Sequence, residues 1–162
     1  MLQEDILKII SKNSKTSVED LAAMLESTPE EVAACIDEME KNGVICGYPA
    51  LINWDKTEHE IVTALIEVKV APQRGRGFDK VAERIYQFDE VASVYLMSGG
   101  FDLTVIVQGN SMKEVARFVA TKLAPMESIV GTGTHFVMKR YKDHGLPLVK
   151  ATNDDERMLI TP

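Results

Sequence analysis

A chain of 162 residues, 45% hydrophobic and 27% charged, is long enough for one domain or two small ones, and neither half alone buries a large core. No apolar run reaches the roughly 18 residues of a membrane span, and Glu4 and Asp5 stand where a secretion signal would begin, so a cytoplasmic protein is expected. The net charge of −7 lies entirely in the first third: residues 1–55 hold four lysines against eleven carboxylates, whereas residues 56–162 hold fourteen charges of each sign. That asymmetry points to two modules. Cys35 and Cys46 are eleven positions apart with no CxxC or Cys/His pattern, which argues against a disulfide framework and against a zinc site.

The first predicted element is a short amphipathic helix, because Leu2, Ile6, Ile9 and Ile10 share one face at helical spacing. Asn13 to Thr16 interrupt it. Ser17 with Asp20 three positions on makes a capping box ahead of Val18, Leu21 and Leu25, which starts a second helix. Thr28 with Glu31 makes another around Pro29, which suits a first helical position, and Val32, Ile36 and Met39 supply the buried stripe of a third. Asn42-Gly43 stops it, and Val44-Ile45 reads as a strand-like run. Three helices and a strand over residues 1–47 predict a winged helix-turn-helix.

Residues 48–60, with Pro49 and the single tryptophan Trp54, read as a connector, with Trp54 as a packing anchor. From Ile61 the pattern changes. Ile61–Val70 is a β-branched strand ending before Pro72, and Phe78, Val81, Ile85 and Phe88 are helically spaced. Val91–Met97 and Leu103–Val107 are strands joined by Ser98-Gly99-Gly100, residues that tolerate positive φ. Met112, Val115, Val119 and Leu123 repeat as a helix, and Ile129–Tyr141 alternates as a last strand. The order β-α-β-β-α-β over residues 61–142 predicts an α+β, ferredoxin-like (ACT/RAM-like) domain, with two helices on one face of an antiparallel sheet. Residues 143–162 form a tail without clear periodicity, in which Met158-Leu159-Ile160 offers a docking segment for a neighbouring subunit. Arg74-Gly75-Arg76-Gly77 reads first as a solvated loop and second as an anion contact.

Two strings carry a family likeness. EMEKNGVICGY, Glu38 to Tyr48, resembles the recognition-helix end and wing of the leucine-responsive regulator/asparagine-regulator (Lrp/AsnC, feast/famine) family, and SVYLMSGGFDL, Ser93 to Leu103, resembles its effector-domain hairpin. The resemblance implies a DNA-binding transcriptional regulator, a homodimer that assembles further to an octamer, and an amino acid or related small effector held where neighbouring dimers meet. It implies effector-binding residues Leu96, Gly99, Asp102, Met112, His135 and Phe136, with Ser98, Gly100 and Thr134 beside them in the chain. Chemistry at the hairpin suits a zwitterion: Gly99 and Gly100 allow close approach with free N–H groups, and Asp102 offers a carboxylate to an α-ammonium. The alternative reading is that the glycines are only a turn and Asp102 only a solvated charge. His135 departs from the aromatic usual in the family.

The candidate DNA-facing positions are Ser27, Thr28, Ala33, Ala34, Asp37 and Lys41. A groove-reading helix normally presents Arg, Lys, Asn or Gln. Here the outward face offers Glu30, Ala33, Ala34 and Asp37 with Lys41 as the one cation, where the family commonly has basic residues around Ala34, Cys35, Asp37 and Glu38. Duplex DNA is therefore expected to bind weakly through this face, or through avidity across an oligomer. The competing reading makes the acidic head a docking element, leaving an amino-acid sensor that acts through a protein partner. Enzymes of haem and sirohaem metabolism share the architecture, but no cluster of His and Arg, nucleophile–base pair, phosphate loop or metal set is present, so neither enzyme activity nor a cofactor is expected. His59, His135 and His144 are too scattered for a metal site.

Overall fold

The computed structural model describes residues 1–71 and 77–149 of the chain. The chain forms two compact units, one of Met1–Ala50 and one from Leu51 onward.

In the first unit α1 (Leu2–Ile10), α2 (Val18–Met24) and α3 (Pro29–Lys41) enclose a core of Ile6, Leu21, Ala22, Val32, Met39 and Ile45. Both predicted caps form. The Ser17 hydroxyl accepts from the Asp20 N–H at 3.0 Å. At α3 the box is reciprocal: Thr28 Oγ1 accepts from the Glu31 N–H at 3.3 Å, and Glu31 Oε2 accepts from the Thr28 N–H at 3.1 Å. The predicted strand at Val44-Ile45 is absent. The N–H groups of Val44 and Ile45 both donate to the Met39 carbonyl, at 2.8 and 3.2 Å, so they close the end of α3 instead of seeking a strand partner. Gly43, at φ +69°, makes that reversal possible, and Ile45 is drawn into the helical core.

The second unit begins with the connector, where Trp54–Lys56 make a single 3₁₀ turn. Residues 51–60 are tied into this unit: the Asn53 side chain donates to the Leu148 carbonyl at 2.8 Å. Then follow β1 (Val62–Val70), α4 (Phe78–Tyr86), β2 (Val91–Leu96), β3 (Leu103–Gly109), α5 (Met112–Phe118, continued by a π turn over Val119–Leu123) and β4 (Ile129–Phe136). The sheet order is β2-β3-β1-β4 with every pairing antiparallel, as the β-α-β-β-α-β order requires. Alternation sets the faces. Ala64, Ile66, Val68 and Val70 of β1 and Leu103, Val105 and Val107 of β3 point under the helices, where Val81, Ile85, Val115, Phe118 and Leu123 complete the core.

The last strand stops at Phe136 rather than running to Tyr141. Val137 still donates to the Thr63 carbonyl, near the start of β1, and beyond Thr63 only Val62 of β1 remains. The chain instead makes a small hairpin, β5 (Lys142–Asp143) against β6 (Leu146–Pro147), around His144 and Gly145, both with positive φ. Arg74, Gly75, Arg76 and Met158 to Ile160, singled out in the sequence, lie outside the described residues. Among the described residues no helix is long and apolar enough to cross a membrane.

The cap of α3 makes its stability pH-dependent. Glu31 is held below the ordinary glutamate range, first by the Ser27 hydroxyl and then by the Thr28 N–H and hydroxyl. A carboxylate with a depressed folded pKa stabilises above its unfolded pKa, and that contribution disappears as the pH falls through the folded value. Hydrogen exchange on the intact chain should therefore show α3 losing protection on acidification below the ordinary glutamate range. Glu31→Gln, which keeps a cap but does not titrate, should remove that step. An identical acid profile in the variant would contradict the assignment.

Candidate functional site

The hairpin between β2 and β3 is built around Asp102. Its N–H donates to the Val68 carbonyl at 3.0 Å, and its carboxylate Oδ2 accepts from the Val70 N–H at 2.8 Å. The second bond falls where the β1–β4 register shifts between Lys69 and Val70, so the carboxylate serves an N–H at the irregularity. Asp102 is thus half-buried and partly committed to the fold, which neither sequence reading anticipated; Val70 is 32 residues away in the chain and invisible to any local pattern. Met97 closes the loop by donating to the Asp102 carbonyl at 2.8 Å. Ser98, Gly99 and Gly100 project into solvent, with nothing within 4 Å of a Cβ built on either glycine. Gly99 sits at φ +140°, where a side chain would be strained. Leu96 and Met97 flank this open turn with their side chains largely exposed.

The other predicted effector residues lie elsewhere. Phe136 pairs with Ala64 and His135 with Leu65, towards the start of β1, whereas Asp102 is fastened to Val70 at its end. Six residues of strand at about 3.3 Å each put roughly 20 Å between those levels. Met112 opens α5, just after Gly109, so the length of β3 separates it from the turn. The nine residues therefore form two groups at opposite ends of the sheet in one subunit. The turn group is Leu96, Ser98, Gly99, Gly100 and Asp102; the far group is Met112, Thr134, His135 and Phe136. Within the far group, Thr134 and Phe136 point to the helix-covered face and His135 to the other. On that open face His135 Nε2 lies 3.5 Å from Glu67 Oε1, a partner the sequence reading missed. Gly133 lies directly opposite Glu67.

In the head, Ala34, Asp37 and Lys41 are exposed along α3 and Ala33 is half-buried. Ser27 and Thr28 are engaged in the cap: the Ser27 hydroxyl donates to Glu31 Oε2 at 2.7 Å. Glu40 accepts from the Tyr48 hydroxyl at 2.7 Å, which holds that phenol in its protonated form to higher pH. The exposed α3 face is therefore acidic, as its sequence implied.

Comparison with known proteins matches both units. A family described as winged helix-turn-helix DNA-binding matches residues 2–45, and the Lrp/AsnC ligand binding domain matches residues 63–147. The chain is 50% identical to the HTH-type transcriptional regulator YugG of Bacillus subtilis, over 99% of this chain and 96% of that protein. It is 26% identical to the leucine-responsive regulatory protein of Haemophilus influenzae, over 90% and 87% of the two. Among solved structures, a transcriptional regulator from Neisseria meningitidis in complex with L-Met superposes with a TM-score of 0.69 at 20% identity, covering 91% of this chain and 95% of that one. At that identity the likeness establishes a shared fold.

The Asp102–Val70 bond separates two substitutions. Asp102→Ala leaves the Val70 N–H without its acceptor and should lower the unfolding free energy of the second unit by about 1–3 kcal/mol, whereas Asp102→Asn keeps an acceptor and should cost clearly less. Denaturant titration of both variants checks this; equal stability in the two would contradict the bond.

Proposed function

The chain belongs to the Lrp/AsnC family of transcriptional regulators, DNA-binding proteins with a ligand-binding domain, and from that premise we propose that an amino acid or similar small zwitterion, bound between subunits, sets its assembly or its grip on DNA in the cytoplasm. The observation that carries this reading is the splitting of the effector residues between opposite ends of one sheet. A pocket that uses both groups needs a second copy of the chain. A turn with unobstructed backbone and a carboxylate supplies one side, and the exposed Met112, Thr134 and His135 of another subunit supply the other. The L-Met seen on the Neisseria regulator is a ligand of this class.

Leu65, Ile106 and Tyr95 on the sheet face away from the helices are suited to pairing subunits into a dimer, and dimers into the octamer that brings turn group and far group together. Effector at that seam then shifts assembly by a coupling of about 1–3 kcal/mol. A panel of the twenty amino acids should yield at least one that raises the melting temperature of the wild type, and Asp102→Asn, stable enough to test, should lose that shift. No shift from any of the twenty removes the amino-acid reading.

DNA binding is tested by fluorescence anisotropy with the upstream region of the protein's own gene. Because α3 presents carboxylates, binding should be measurable at about 50 mM salt and fall steeply by about 200 mM. Absence of binding at the lower salt would favour the docking of a protein partner on the acidic head.

A further inference from the structure

The head segregates its charge. α3 carries Glu30, Glu31, Asp37, Glu38 and Glu40 against Lys41 alone, and all of these are exposed. The other three lysines of the unit, Lys8, Lys12 and Lys15, sit on the last turn of α1 and in the α1–α2 loop. From Ser11 to Ser17 the chain reads SKNSKTS: no carboxylate, two lysines, and a hydroxyl or amide at every remaining position. Six of the seven residues are exposed, and only Thr16 is half-buried. The ion pairs of the head join Met1 and Lys8 to Asp5. Among the described residues, Lys12 and Lys15 take part in neither.

This loop is ordered by its own hydrogen bonds. The Lys12 and Asn13 N–H groups both donate to the Ile9 carbonyl at 3.0 Å, and the Thr16 hydroxyl donates to the Asn13 carbonyl at 2.9 Å. Asn13 Oδ1 accepts from the Lys15 N–H at 3.2 Å, and Ser17 is spent on capping α2. The backbone that bears these two ammonium groups is therefore held in one shape, which lowers the entropic cost of binding an anion. In a helix-turn-helix the first helix of the motif crosses the sugar-phosphate backbone while the second enters the groove. Here the first is α2, and Lys15 to Ser17 lead directly into it. Cations are thus placed where phosphates pass, and carboxylates where base edges are read.

Resting on the DNA-binding reading above, we infer that the α1–α2 loop, through Lys12 and Lys15 with Lys8 behind them, is the phosphate-binding surface of this chain, and that it supplies the attraction α3 lacks. Binding through it tolerates any sequence, since phosphates carry no base information. Sequence preference is left to the few neutral positions of α3 and to DNA shape.

The test is an anisotropy titration of the full chain with two duplexes, the upstream region of its own gene and a mixed-sequence duplex of equal length, between about 50 and 200 mM salt. Lys12→Gln/Lys15→Gln is compared with Lys80→Gln/Lys113→Gln, which removes the same charge from exposed positions of the second unit. The loop variant should bind both duplexes at least tenfold more weakly at about 100 mM salt, with its log–log salt slope shallower by about 2 for each bound subunit. Its melting temperature should be unchanged, and the second-unit variant should bind like the wild type. A loop variant with wild-type affinity and slope, or a second-unit variant that loses as much, would overturn the inference while leaving DNA binding intact. Failure of the wild type itself to bind either duplex would instead overturn the DNA-binding reading, and this inference with it.

Discussion

Strand β1 is hydrogen-bonded along both edges, to β3 and to β4, and every second side chain from Ala64 to Val70 is buried beneath the helices. Two further bonds secure its far end, both to Asp102 at the mouth of the β2–β3 hairpin. A strand locked on both sides cannot slip by one residue without turning Ile66 and Val68 out of the core, so its register is strongly determined. Through that register the positions of the turn, of β4 and of α5 are set, and with them the distance between the two groups of candidate effector residues.

Much of this order is legible in the sequence because it is local. Ser17 and Asp20, and Thr28 and Glu31, announce their helices by spacing alone, and the caps form as the spacing implies. Periods of two and 3.6 alternate cleanly from Val62 to Phe136, and one antiparallel arrangement accommodates them. What was hidden depends on partners distant in sequence or on competition for one carbonyl. Val44 and Ile45 have the side chains of a strand, yet their N–H groups are taken by Met39. The alternation after Phe136 continues in sequence while the partner strand runs out.

The candidate site divides in the same way. The turn at Ser98 to Gly100 is visible from composition, and its openness is as expected. The tie from Asp102 to β1 is not visible, since its partner Val70 lies on another strand, and neither is the Glu67–His135 contact, which needs the β1–β4 register to be known. In the head, the acidity of α3 reads directly from the sequence. The surface proposed to offset it comes into view only when Asp5 is seen to pair with Lys8 while Lys12 and Lys15, among the described residues, join no ion pair.

The two ends of the sheet suggest a direct measurement of whether a binding site is completed by a neighbouring copy. Asp102→Asn disables the turn group and His135→Ala the far group, and the two variants can be mixed, dissociated and reassembled before calorimetric titration with an amino acid that binds the wild type. A site shared between subunits predicts little binding in either variant alone and recovery of a fraction of wild-type sites in the mixture, where an intact turn meets an intact far end. A mixture as inert as its parents, or a parent that binds like the wild type, would contradict it.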